Sequence, residues 1–176
     1  MKNLIDLMLE KTPSAIAKFT SSTTSIALPT RWNSGSDFIT KIIGCHCGNQ
    51  LLSLEADQKK ELRGICSKAE VMTYYPPVYA VCSSCKCSTL VFDPIVHGWN
   101  GEMEITHDSE SALRLVKYNV NPGLIYVNYS YRNIENYESL LADGVQDIEN
   151  YFDSFTVLYS DMDGKNFTEI TSNICV

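Results

Sequence analysis

Several things are missing from this chain, and each absence excludes a class of protein. No uncharged apolar run approaches the roughly 18–20 residues that a membrane-spanning helix needs. The N-terminal stretch from Met1 is interrupted by Asp6 and closed by Glu10. It lacks the continuous apolar core and small-residue cleavage site of a signal peptide. There is no Gly-x-Ser-x-Gly elbow, no phosphate-binding glycine loop and no dinucleotide fingerprint, so the chemistries those motifs serve have no carrier. No internal repeat or low-complexity segment appears. Basic residues are also scarce, with 14 Lys plus Arg against 21 Asp plus Glu.

What is present is an ordinary globular composition. The 176 residues are 44% hydrophobic and 20% charged, a length that suits one domain burying its own core. The net charge of −7 is unevenly placed. Residues 1–30 carry a net +1 and residues 31–91 a net +2, whereas residues 92–176 hold fourteen acidic and four basic groups, a net −10. A field of that sign repels nucleic-acid phosphates and anionic membranes and attracts a basic protein surface. One reading is a solvated acidic face that keeps the chain soluble and the other a basic protein partner; neither nucleic acid nor membrane is expected.

The pattern reads as an N-terminal helical segment over residues 1–30, followed by a single α+β domain over 31–176. Leu4, Leu7 and Met8 share a helical face, and Thr12-Pro13 fits a helix N-cap followed by proline. Ala15, Ile16, Ala17 and Phe19 extend as a second short helix, and Thr20 to Ser25 reads as an exposed link. Trp32 is expected at the edge of the core. Phe38–Ile43 reads as a strand, with Leu51–Leu54 as its partner across the Cys45-His46-Cys47-Gly48 turn. Lys59–Lys68 fits either a helix or a hairpin arm. Val71–Val81 is rich in Val, Thr and Tyr, and its Pro76-Pro77 pair predicts an edge position. Thr89–Phe92 makes another short strand.

Later, Ile125, Val127, Tyr129 and Tyr131 alternate with Tyr126, Asn128 and Ser130, the period of a half-buried strand. Ile134–Leu141 has helical spacing, stopped by Asp143-Gly144. Phe155, Val157 and Tyr159 lead into a hairpin turn over Asp161–Asn166, with Gly164 taking positive φ, and Phe167–Ile170 returns. The fold class expected is α+β: a mostly antiparallel β-sheet domain with a four-cysteine zinc knuckle pair and a few short helices.

The cysteines carry the strongest chemical signal. There are seven, and six of them lie between positions 45 and 87. An odd number, clustered in a chain with no export signal, argues for metal ligation in a reducing cytoplasm over a disulfide framework. Cys45-x-Cys47-Gly48 and Cys82-x-x-Cys85 each present two sulfurs from a tight turn, which is what tetrahedral zinc requires. Cys45, Cys47, Cys82 and Cys85 are therefore the expected ligands of a structural Zn²⁺. Cys87 competes for a place in the set, and His46 is expected to point away because neighbours in an extended turn face opposite sides. Cys66 and Cys175 have no spaced partner and read as buried apolar residues. Four thiolates leave no open coordination position, so the metal is structural, not catalytic.

Weaker candidates surround that site. His97, with Glu102 or Glu104, has the residue types for a general base or a metal ligand, but nothing in the sequence sets their geometry. Asp161, Asp163 and Asn166 lack the full twelve-residue calcium pattern, so a hairpin turn is the better reading.

Gly44-Cys45-His46-Cys47-Gly48 followed by Cys82-Ser83-Ser84-Cys85 resembles the paired zinc turns of the glutathione-dependent formaldehyde-activating family. The resemblance covers residues 44–88 and implies zinc at these turns. That family's second motif runs Cys-x-Cys-x-x-Cys, whereas here it runs Cys82-x-x-Cys85-x-Cys87. The resemblance therefore carries the metal and not the activity. Phe92-Asp93-Pro94, His97-Gly98-Trp99-Asn100-Gly101 and the closing hairpin toward Cys175 look similar to small bacterial zinc-binding proteins of the toxin-immunity type. That second resemblance implies a non-enzymatic inhibitor whose acidic C-terminal half covers a basic site on a cognate toxin. The alternative expectation is a zinc-dependent thiol enzyme acting on a small-molecule adduct, with Cys87 or Cys66 as its reactive group.

Overall fold

The computed structural model describes residues 12–23, 28, 38–62, 70–93, 96–97, 116–119, 121–131, 138–139, 141–144 and 152–174. Nine strands form two antiparallel sheets. They are β1 (Thr20–Thr23), β2 (Ile39–Gly44), β3 (Leu52–Leu62), β4 (Glu70–Cys82), β5 (Ser88–Phe92), β6 (Val116–Asn119), β7 (Leu124–Tyr131), β8 (Phe152–Ser160) and β9 (Phe167–Ile174). One sheet has the order β1-β2-β7-β8-β9 and the other β5-β4-β3-β6. A single buried cluster draws on both, with Ile43, Ile125, Val127 and Phe155 from the first sheet and Leu54, Val78, Val91 and Phe92 from the second. The sheets thus pack face to face, each contributing the inward residues of its alternating strands.

Strand β7 lies at the centre of the five-stranded sheet and is covered on both faces. Its inward Ile125, Val127 and Tyr129 join the main core, while Tyr126 joins Leu28 and Leu158 in a second cluster on the outer face. From Ile125 to Ser130 the expected half-buried strand is buried on both faces. β8 and β9 form the predicted hairpin. Asp161 closes its turn, accepting from the Lys165 amide at 3.1 Å and from Asn166 Nδ2 at 2.6 Å, and these bonds hold its carboxyl below the usual range. Gly164 takes φ +67° there.

The α part of the expected α+β class is a correction. Among the described residues almost no helix is present: only Glu138, Ser139, Leu141 and Ala142 are α-helical. Ala15 and Ile16 belong to a three-residue 3-10 turn, Ser14–Ile16, in which the Ile16 amide donates to Pro13 O. Burial, not helix formation, fixes this segment: Ala15, Ile16 and Phe19 fill the core. Thr20–Thr23, expected as a link, is an exposed edge strand paired with β2. Within the expected Ile134–Leu141 helix the described residues Glu138, Ser139 and Leu141 are helical, the Asp143 amide donates to Ser139 O, and the turn ends at Gly144 with φ +79°. Leu4, Leu7, Met8, Trp32, Cys66, Trp99, Glu102, Glu104 and Cys175 lie outside the described residues.

One pairing also differs from expectation. Leu51–Leu54 does not pair with β2: Leu52 and Leu54 lie opposite Cys82 and Ala80 of β4, in the other sheet. The first cysteine turn is therefore a crossing between sheets and not the end of a hairpin. Pro76-Pro77 keep their expected edge position: among the described residues β4 pairs with β5 only from Val78 onward, so at the prolines its one neighbour is β3, where the register shifts. Glu55 faces Tyr79 and Asp57 faces Tyr75, so the prolines fall in a bulge, where a missing N–H breaks no ladder bond.

One charged residue is buried in the core face of β2. Lys41 lies between Ile39 and Ile43 and is 6% exposed; its Nζ donates to Thr12 Oγ1 at 2.7 Å. Burial lowers its pKa.

Candidate metal centre

Two tight turns at one end of the sandwich face each other across the gap between the sheets. The first follows β2. The Cys45 amide donates to Asn49 O at 2.8 Å and the Gly48 amide to Cys45 O at 2.9 Å. Gly48 has φ +88°, a conformation that L side chains resist. The second turn joins β4 to β5. Here the Cys82 amide donates to Cys87 O at 2.9 Å and the Lys86 amide to Cys82 O at 3.0 Å. Lys86 takes the left-handed position, with φ +61°. The spacing Cys-x-Cys-Gly folds locally because the glycine lets the chain reverse immediately after the second sulfur.

These turns bring together Cys45, Cys47, Cys82 and Cys85, the four residues singled out by spacing. Their four Sγ atoms all lie within 4.8 Å of one another. Cys45 Sγ is 3.5 Å from Cys85 Sγ, and Cys47 Sγ is 3.6 Å from Cys82 Sγ. A tetrahedral ion bonded to four sulfurs at about 2.3 Å places them about 3.8 Å apart. The donor set fits a metal ion, and four soft thiolates define the kind of ion it takes. All five described cysteines are free thiols.

The other candidates stand apart. His46 is exposed, as is Cys87, and neither belongs to the four-sulfur group. Cys87 closes the second turn through its carbonyl, while its Sγ lies 3.8 Å from Thr89 Oγ1. Both residues line a cavity of about 180 Å³ that opens onto the four sulfurs, together with Lys18, Phe19 and Thr89. His97 is remote in role. Its Nδ1 accepts the Asp93 amide at 3.0 Å, its ring stacks on Phe92, and burial first of all lowers its pKa.

Asn49 is the residue that spacing did not reveal. Its Nδ2 reaches Leu51 O at 2.8 Å, Ser83 Oγ at 2.8 Å and Cys82 Sγ at 3.4 Å, so the first turn holds the second through one amide. A polar amide directly after Cys-x-Cys-Gly was the available signal. Gly123 was also missed. Its amide and carbonyl exchange hydrogen bonds with Leu52 at 3.0 and 2.9 Å, tying the start of β7 to β3 behind the cluster. A Cβ there would strike Ser160 O and the Tyr159 side chain, so only glycine permits this approach.

The thiols of the cluster do not titrate alike. Asn49 Nδ2, then the Cys85 and Ser84 amides and the Cys47 thiol, outweigh burial and lower Cys82 to about 6. At Cys45 the Cys47 amide acts downward. The Cys85 thiol, burial and the thiols of Cys47 and Cys82 outweigh it and push the group to about 12. The surroundings therefore favour the thiolate form at Cys82 and the thiol form at Cys45. A bound cation removes that difference by deprotonating its ligands.

Known protein families, characterised proteins and solved structures hold no match to this chain. No helix of the described residues is long and apolar enough to cross a membrane.

Proposed function

We propose that this chain is a non-enzymatic binding protein in which Cys45, Cys47, Cys82 and Cys85 hold one Zn²⁺ that ties the two sheets together. The observation that carries the reading is the four-sulfur cluster itself, with every Sγ within 4.8 Å of the others. Four thiolates fill a tetrahedral shell and leave no position for a substrate, which favours a structural ion. The ion would tie the turn after β2, in one sheet, to the turn between β4 and β5, in the other. A reducing cytoplasm is the compartment that keeps such thiols available.

The partner in this reading is a basic protein met by the acidic 92–176 region, and the toxin-immunity resemblance makes a cognate bacterial toxin the first candidate. Electrostatic steering of that kind accelerates encounter and weakens with salt. Binding to a basic partner measured from low to high ionic strength tests it. The expected result is an association rate that falls steeply with salt. A partner bound at a salt-independent rate removes the acidic half from the account.

A second reading, a zinc-dependent thiol enzyme, draws on Cys87, an exposed thiol in the cavity beside the four sulfurs. Fast alkylation of Cys87 accompanied by loss of turnover on a small adduct supports it. A slow, ordinary thiol at that position speaks against it.

A further inference from the structure

The four sulfurs of the cluster divide into an inner and an outer pair, one of each from each turn. Cys82 is buried, and its sulfur receives Asn49 Nδ2 and the amides of Cys85 and Ser84. Cys45 is half-buried against the core and receives the Cys47 amide. Cys47 and Cys85 are exposed, and their hydrogen-bond-range contacts among the described residues are with the partner sulfurs, Cys82 and Cys45. Hydrogen bonds from N–H groups draw electron density from a sulfur, and burial keeps reagents away from it. The reactivity of a thiolate follows its charge and its exposure. Cys82 has both protections in full and Cys45 in part, whereas among the described residues Cys47 and Cys85 have neither.

The outer sulfurs also face usable space. The cavity of about 180 Å³ at the centre is lined by all four cysteines of the cluster together with His46 and Cys87, so exposure and hydrogen bonding, not the cavity, set the outer pair apart. That volume admits a reagent of a few heavy atoms.

We propose that Cys47 and Cys85, once held as metal-bound thiolates, are a modification site for small soft alkylating electrophiles. The inference rests on the zinc reading given above. In the step, the Cys47 or Cys85 Sγ lone pair attacks a saturated carbon bearing a leaving group. A C–S bond forms, the carbon–leaving-group bond breaks, and its electron pair departs with the leaving group as an anion. No proton has to move, because the sulfur is already a thiolate, and no oxidant or reductant takes part. The product is a neutral thioether, a poorer ligand than the thiolate it replaces, so modification loosens the ion and with it the tie between the sheets.

The test uses the full chain purified with zinc and carrying Cys87→Ser, which removes the free thiol from the cavity. Zinc content is measured first; iodoacetamide is then added, and the modified cysteines are followed by peptide mass mapping alongside zinc release to a chromophoric chelator. The expected result is alkylation of Cys47 and Cys85 at least about tenfold faster than of Cys45 and Cys82, with zinc released in step. Adding Asn49→Ala removes the side-chain donor to Cys82 and is expected to raise the Cys82 rate several-fold. A chain that holds no zinc at these cysteines overturns the zinc reading and this inference together. A zinc-loaded chain whose four cysteines stay unmodified, or react at equal rates, overturns this inference alone.

Discussion

The two cysteine turns close with the same pair of backbone hydrogen bonds, but the second is one residue longer. In the first, the amide of Cys45 reaches four residues ahead to Asn49 O; in the second, the amide of Cys82 reaches five ahead to Cys87 O. The extra residue changes what the turn can offer its first sulfur. Cys-x-Cys aims one amide, that of Cys47, at Cys45, whereas Cys-x-x-Cys aims two, those of Ser84 and Cys85, at Cys82. The closing residues differ as well. Asn49 sends its side chain across to the other turn, while Cys87, in the corresponding place, stays exposed. The longer turn thus offers its first sulfur two amides where the shorter offers one, and Asn49 adds a third donor to Cys82. The left-handed position is Gly48 in one turn and Lys86 in the other.

The largest effect expected removes what both turns share. Structural zinc contributes on the order of 10 kcal/mol in small modules. At roughly 2–4 °C per kcal/mol for a chain of this size, stripping the ion with a strong chelator should lower the thermal midpoint by more than about 10 °C. Differential scanning calorimetry with and without chelator measures it.

Next comes the contrast between the two closing residues. Asn49→Ala is expected to weaken zinc binding by about 10–100-fold, the range for groups that orient metal ligands. Cys87→Ser is expected to leave it within about twofold, because only the Cys87 carbonyl holds the turn. Competition with a chromophoric chelator reads both, and equal effects would erase the distinction between the turns.

Acid sharpens the same contrast. Zinc binds the thiolate form, so protonation of the ligands opposes it and affinity falls as pH falls. Above about 6 Cys82 is already deprotonated in the metal-free chain, and below that value it must surrender a proton to the ion. The protons released per ion should therefore rise by about one as pH drops through 6. Calorimetric titration in buffers of different ionisation enthalpy reads that number.

The left-handed positions give the smallest pair of effects. Gly48→Ala forces a Cβ onto φ +88° and should cost about 1–2 kcal/mol. Lys86→Gly relieves a strained residue but loosens the unfolded chain and loses the Lys86 Nζ bond to Ser83 O. The net change should stay within about 0.5 kcal/mol. Urea unfolding of the two variants compares them.

The candidate site was legible in the sequence because its ligands are local. Cys45 with Cys47, and Cys82 with Cys85, declare themselves by spacing, and Gly48 by the turn it allows. The strands β5, β7 and β8 were legible from their alternation. The arrangement of the sheets was not. Segments flanking a cysteine turn look like two arms of a hairpin, and nothing near Leu51–Leu54 says that its hydrogen-bond partner is β4, thirty residues away. Helical spacing in Ala15–Phe19 misled because a short segment that buries three apolar side chains gains more from packing than from helix formation. Asn49 and Gly123 act on chain segments remote in sequence, and Lys41 looks like a solvated charge until the strand around it is seen to be buried.

The most direct test of the central claim is the metal content of the chain purified without chelator, for the native protein and for single Cys→Ser replacements at 45, 47, 82, 85 and 87. About one zinc per chain is expected, lost or sharply reduced on replacing Cys45, Cys47, Cys82 or Cys85 and retained on replacing Cys87. No zinc in the native protein, or full retention as the four are replaced one at a time, would contradict a metal tie between the sheets.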